Sequence, residues 1–124
     1  MRKDSIRPKT IFCDIDGTLI EHLKTPLKMY HPDVTPRMLP GVLERLLEWD
    51  LKGYNLILVT GRRESMRETT IKQLSKLAIT YDQLIMGIGG GERVLINDAK
   101  PNSVDQTCSA ITIVRNDGIA SVNI

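Results

Sequence analysis

Three short apolar runs, each breaking off into polar residues, constrain this chain most. Residues 10–15 (TIFCDI) turn polar at Asp16-Gly17. Residues 55–60 (NLILVT) are unbroken between Gly53 and Gly61, and Val94-Leu95-Ile96 runs into Asn97-Asp98. Runs of this length and composition read as strands, and the unbroken one suits a central parallel strand covered on both faces. Helical patterns separate them. Pro40-Gly41 opens the first, with Val42, Leu43, Leu46, Leu47 and Trp49 on one broad face, and Gly53 stops it. The second carries Ser65 and Glu68 at capping-box spacing, then an apolar stripe of Ile71, Leu74, Leu77 and Ala78. Leu84-Ile85-Met86 and residues 111–114 are further strand candidates, and residues 119–124 either pair at an edge or fray. Strands alternating with helices predict an α/β fold, with a mainly parallel central sheet flanked by helices.

Composition narrows the class. The 124 residues suit one domain, residues 1–124, and 41% hydrophobic content is that of an ordinary globule. A net charge of +2 gives no electrostatic argument for nucleic acid. No apolar run approaches a membrane span, and the basic Met1-Arg2-Lys3 start lacks the apolar stretch of a signal peptide. Two cysteines build no disulfide scaffold. The expectation is a cytoplasmic chain.

In parallel sheets the crevice lies outside the carboxyl ends of the strands. The strand ends here carry Asp14 and Asp16, then Thr60 with Gly61-Arg62, then Asn97 and Asp98. Gly17 permits the turn that lets Asp14 and Asp16 reach one crevice. Two such charges at ~4 Å repel by about 4 kcal/mol at an effective dielectric of about 20. Clustered hard oxygens without His or Cys suit Mg²⁺, held by Asp14, Asp16, Asp98 and Asn97. The Thr60 hydroxyl can donate to a phosphate oxygen.

Asp14-Ile15-Asp16-Gly17-Thr18 resembles the first motif, D-x-D-G-T, of the haloacid-dehalogenase-like hydrolases. Thr60-Gly61-Arg62 resembles their second motif and Asn97-Asp98 their acidic fourth, in the family's order, over about residues 10–100. The resemblance implies a three-layer Rossmann-like core and a Mg²⁺-dependent phosphatase acting on a sugar phosphate or another small phosphorylated metabolite. Asp14 would attack phosphorus to give an aspartyl-phosphate. Asp16 would protonate the leaving oxygen and then activate water. Thr60 would hold a phosphoryl oxygen, with Gly17, Thr18, Gly61 and Arg62 around the substrate.

The third motif is where the chain departs from the family, which places a Lys or Arg between the second and fourth motifs. Residues 86–91 (MGIGGG) carry no cation. Lys100 is the preferred substitute because it adjoins the fourth motif, followed by Arg93 and then Lys76 and Lys72. The departure keeps two rivals open: a non-catalytic module that binds Mg²⁺ and phosphate, and a phospho-accepting receiver-like domain.

Other signals carry less. Residues 87–91 lack the Gly-Lys-[Ser/Thr] ending of a Walker loop. Cys108 and Arg115 are one residue too far apart for a cysteine phosphatase. Cys13 reads as a small buried hydrophobe, and His22 and His31 as surface residues. Arg62 and Arg63 read equally as substrate contacts or as a solvated helix entry. Residues 19–38 contain Pro26, Pro32 and Pro36, and are too short for a helical cap. They predict a flap on a capless core, with Tyr30, His31 and Arg37 as substrate contacts. Such an open site calls for a large substrate, a closing flap, or a neighbouring subunit in a homo-oligomer.

Overall fold

A computed structural model describes residues 7–25, 31–101 and 106–124. Strand β1 (Thr10–Asp14) pairs in parallel with β2 (Asn55–Val59), which pairs in parallel with β3 (Gln83–Ile85). Helix α1 (Val42–Leu51) links β1 to β2, and a short 3₁₀ turn (Glu64–Met66) with helix α2 (Arg67–Lys76) links β2 to β3. The sheet order is β1-β2-β3. This is the expected Rossmann-like α/β arrangement with an open parallel sheet and helical crossovers. Asp82 fixes the register at one end: its carboxylate accepts from the Leu56 amide at 2.7 Å, and its own amide donates to the Leu56 carbonyl at 2.8 Å.

Burial alternates along the strands. Cys13, Leu56 and Leu58 are buried, whereas Phe12 is exposed and Ile57 and Val59 are intermediate. The pairing Cys13↔Leu58↔Leu84 puts these three on one face of the pleat. That face joins Val42, Leu46 and Trp49 of α1 and Leu74 of α2 in the core. The expected cover on both faces of β2 is therefore unequal.

Several local expectations are corrected. Val94-Leu95-Ile96 forms no strand; Ile96 is 88% exposed, and among the described residues no strand pairs with this segment. Residues 111–114 also form no strand. Apolar, β-branched composition becomes a strand only when a ladder and a packed face are available. The Ser65–Glu68 capping box does not form, because Ser65 lies inside the 3₁₀ turn and Met66 takes the N-cap position. Arg67 instead grips Glu64 through two hydrogen bonds of 2.9 and 2.7 Å. Leu43 and Leu47 of α1 and Ile71 of α2 face outward. Ala78 lies beyond the end of α2 with a left-handed φ of 57°.

The C-terminal residues pack against α1. Ile119 and Val122 are buried, Arg45 donates twice to the Ala120 carbonyl, and Lys52 donates to the Ile124 carbonyl. Among the described residues, no helix is long and apolar enough to cross a membrane.

Candidate functional site

The site is built on the carboxyl ends of β1 and β2. Beyond Asp14 the chain coils tightly around the Ile15 carbonyl, which accepts amides from Thr18, Leu19 and Ile20 at 2.9–3.2 Å. Gly17 has a φ of 90°, a left-handed conformation that glycine adopts without steric cost. The fully buried Ile15, Leu19 and Ile20 anchor the coil. Position and exposure of Asp14 and Asp16 are thus set by apolar neighbours in the same short motif.

Asp14 is half-buried. Its Oδ2 accepts from the Thr18 hydroxyl at 3.1 Å, and its Oδ1 lies 3.7 Å from Nη1 of Arg93. Burial pushes its pKa above the ordinary aspartate value and Asp16 adds to this, while Thr18 and Arg93 pull the other way. Cys13, just before it, is buried, and its thiol pKa is pushed up to about 12 by burial and then by Asp14. The thiol therefore stays protonated, as suits its expected place in the core.

Asp16 is held differently. Arg62 donates to both of its oxygens, from Nε at 2.9 Å and from Nη2 at 2.7 Å. The same guanidinium donates from Nη1 to the Thr70 hydroxyl at 3.0 Å and to Gln73 Oε1 at 2.7 Å. The Arg62 side chain is fully buried, and Thr70 and Gln73 are buried with it. Gln73 passes the network on, donating from Nε2 to the Val34 carbonyl in the predicted flap at 3.0 Å. Arg62 was a candidate substrate contact by sequence; the structure turns it inward. A guanidinium has enough donors to serve three partners at once, which makes the buried position tenable. Arg63, the other half of that pair, is exposed.

Thr60 is buried at the end of β2. Its hydroxyl oxygen accepts the Arg62 amide at 3.1 Å and keeps its own proton to give. Gly61 follows where the chain passes close to the 86–88 loop. A Cβ there would meet the Ile88 carbonyl oxygen at 3.1 Å, and Ile88 and Thr60 are joined by a backbone hydrogen bond of 3.0 Å.

Asn97, Asp98 and Lys100 are not brought to Asp14. Asp98 is 80% exposed and lies 3.8 Å from Lys100, while Asn97 donates to the Thr107 carbonyl. Residues 94–97 form no strand among the described residues, so Asn97 and Asp98 do not end a strand beside Asp14 and Thr60. Arg93, ranked below Lys100 by sequence, is the cation that faces Asp14. Among the described residues no group of three or more His, Cys, Asp or Glu side chains converges to hold a metal ion. The resemblance implies magnesium held by the Asp14 side chain, the Asp16 backbone carbonyl and the Asp98 side chain. With Asp98 exposed beside Lys100 and no such group converging among the described residues, the donor set does not fit that site. Of the predicted flap contacts, Tyr30 lies outside the described residues; His31 is exposed beside Asp33, and Arg37 pairs with Glu21.

Sequence reasoning missed two groups. Thr70 and Gln73 had a signal: polar residues three apart, beside Leu74 on the inward side of α2. Asn116, in the turn-forming run Asn116-Asp117-Gly118, bonds back to the loop after Asp16.

No family model matches the chain, and no curated protein matches it. Solved structures do. A chain in the structure of the Pnkp1/Rnl/Hen1 complex is 31% identical, with a TM-score of 0.56, over 70% of this chain and 30% of that one. A chain in the structure of the Pnkp1/Rnl/Hen1 RNA repair complex is 32% identical, with a TM-score of 0.54, over 75% and 30%. This chain thus spans 30% of the length of those relatives. A crystal structure of a structural-genomics target from Vibrio cholerae is 20% identical, with a TM-score of 0.52, over 72% and 79%, a likeness of fold alone.

Proposed function

We propose that this chain is a phosphomonoesterase core of the haloacid-dehalogenase type, with Asp14 as its nucleophile. One observation carries the reading. A half-buried carboxylate ends β1, steadied by Thr18 and faced by the Arg93 guanidinium, on the sheet edge where Thr60 ends β2. The order of the D-x-D-G-T and Thr-Gly-Arg motifs supports the family assignment.

In this reading an Asp14 oxygen attacks phosphorus, and the bond to the leaving oxygen breaks with its electron pair. Asp16 gives that oxygen a proton. For this, one Asp16 oxygen must first leave Arg62 and take up a proton from water, since a carboxylate held on both oxygens by a guanidinium has none to give. Water then attacks the aspartyl-phosphate, Asp16 recovers a proton, and phosphate leaves. Thr60, and amides near Gly17 and Gly61, hold the phosphoryl oxygens. Arg93 takes the place of the third-motif cation, neutralising charge between nucleophile and phosphate. No step is routed through magnesium, because the described donors do not fit it; metal dependence enters as a measurement.

The substrate is a phosphate monoester. The family resemblance, rather than any one residue, favours a small metabolite. The two relatives above 30% identity favour a second reading, a terminal phosphate on RNA, because one of those structures is of an RNA repair complex. The test is phosphate release from sugar phosphates, p-nitrophenyl phosphate and phosphate-ended RNA, with and without chelator. Release that survives Asp14→Asn overturns the mechanism. Phosphate binding without release favours the non-catalytic module, and a stable aspartyl-phosphate favours the receiver-like domain.

A further inference from the structure

The turn at residues 114–118 is fastened to the loop that follows Asp16. The Asn116 amide donates to the Gly17 carbonyl at 2.9 Å. Asn116 Oδ1 accepts from the His22 amide at 2.7 Å, and its Nδ2 donates to the His22 carbonyl at 3.3 Å. One side chain thus reads both backbone groups of a residue 94 positions away. Asn116 adopts a left-handed φ of 65°, a conformation that asparagine tolerates better than most residues and that clusters at functional sites. The far side of the turn is pinned as well. Gly118 packs under Pro40, the Ile119 amide donates to the Pro40 carbonyl at 3.0 Å, and Ile119 is buried.

This fastening lays Arg115 across the first-motif loop. A Cβ on Gly17 would meet Arg115 Cγ at 3.2 Å and its Nε at 3.8 Å. Arg62 is committed to Asp16 and Arg93 faces Asp14. Arg115 is exposed and forms no ion pair or side-chain hydrogen bond among the described residues. Its charge is therefore unspent by the fold, at the mouth of the site, beside the glycine between Asp16 and Thr18. A guanidinium so placed suits the oxygens of a phosphate, which it can bind through two parallel hydrogen bonds.

We propose that Arg115 is a specificity-determining residue that binds a second phosphate of the substrate, beside the one that reacts. This rests on the phosphomonoesterase reading. The second phosphate comes either from the phosphodiester next to an RNA end or from a small bisphosphate. The kinetic test compares wild type, Arg115→Ala and Arg115→Lys on three substrates. These are p-nitrophenyl phosphate, a phosphate-ended RNA dinucleotide and a sugar bisphosphate. Arg115→Ala lowers kcat/KM about tenfold more for one of the two-phosphate substrates than for p-nitrophenyl phosphate, through KM, and Arg115→Lys restores part of the loss. The substrate showing the difference identifies the source. Equal changes on all three substrates, or none, overturn the proposal.

A titration calorimetry arm separates it from the reading beneath it. Wild type and Asp14→Asn bind pyrophosphate more tightly than inorganic phosphate, whether or not turnover exists, and Arg115→Ala removes that preference. A protein that hydrolyses nothing yet shows this pattern sinks the phosphomonoesterase reading and keeps the Arg115 site. A preference unchanged in Arg115→Ala sinks the Arg115 site alone.

Discussion

Replacing Arg62 with methionine keeps much of the side-chain volume and removes the charge. Asp16, whose side chain is 13% exposed, then loses both bonds from its only ion-pair partner among the described residues. Thr70 and Gln73 lose a buried donor as well. Breaking a buried pair by removing one partner costs about 3–5 kcal/mol. The exposed edge of Asp16 admits some water, so the lower figure, about 3 kcal/mol, is expected. For a domain of this size that lowers Tm by roughly 10 °C. The assay is thermal unfolding by circular dichroism at neutral pH, for Arg62→Met, Asp16→Asn and the double variant. If the orphaned carboxylate dominates the cost, adding Asp16→Asn to Arg62→Met restores stability rather than lowering it further. The reasoning is refuted if Arg62→Met melts within about 2 °C of wild type, or if the two losses simply add.

Asp14 gives a prediction of opposite sign. Burial raises its folded pKa above the unfolded value, so its contribution to stability is full below the unfolded pKa and is lost as pH rises through the folded one. Asp14→Asn should therefore melt above wild type at pH 7, with the gap closing in acid; a lower Tm at pH 7 contradicts this. Under native conditions iodoacetamide should label Cys108, which is exposed, and spare Cys13, whose thiol pKa is pushed up to about 12; mass spectrometry of the digest decides. Gly41→Ala should destabilise by about 2 kcal/mol or more, since φ is 80° and the new Cβ would strike the Ala120 backbone. A denaturant midpoint equal to wild type would disprove that packing.

The strands around residues 10–14, 55–59 and 83–85 were legible because each is a short apolar run closed by turn residues. The two helices were legible from their periodicity, and the first also from Gly41 and Gly53 at its ends. The D-x-D-G-T loop could be read because Gly17, Ile15 and Thr18 act on Asp14 and Asp16 within five residues. Residues 94–97 were misread because their apolar pattern is only half of a strand; the other half is a partner. The partner of Asp16 was hidden because Arg62 lies 46 positions away, in a stretch that reads equally as solvated. The choice between Arg93 and Lys100 was hidden because loop lysines and arginines look alike in one dimension.

Short-range chemistry therefore settled the α/β class, the turn that carries both aspartates and the hydroxyl at the end of β2. These depend on neighbours within a few positions, and composition encodes such neighbours directly. Which charges meet was decided by the tertiary structure. Folding paired Arg62 with Asp16, turned Arg93 toward Asp14, left Asp98 with Lys100, and brought Asn116 and Arg115 against Gly17. Charge pairing depends on distance and desolvation, and chain separations of 46 or 94 residues carry no information about either until the core has closed.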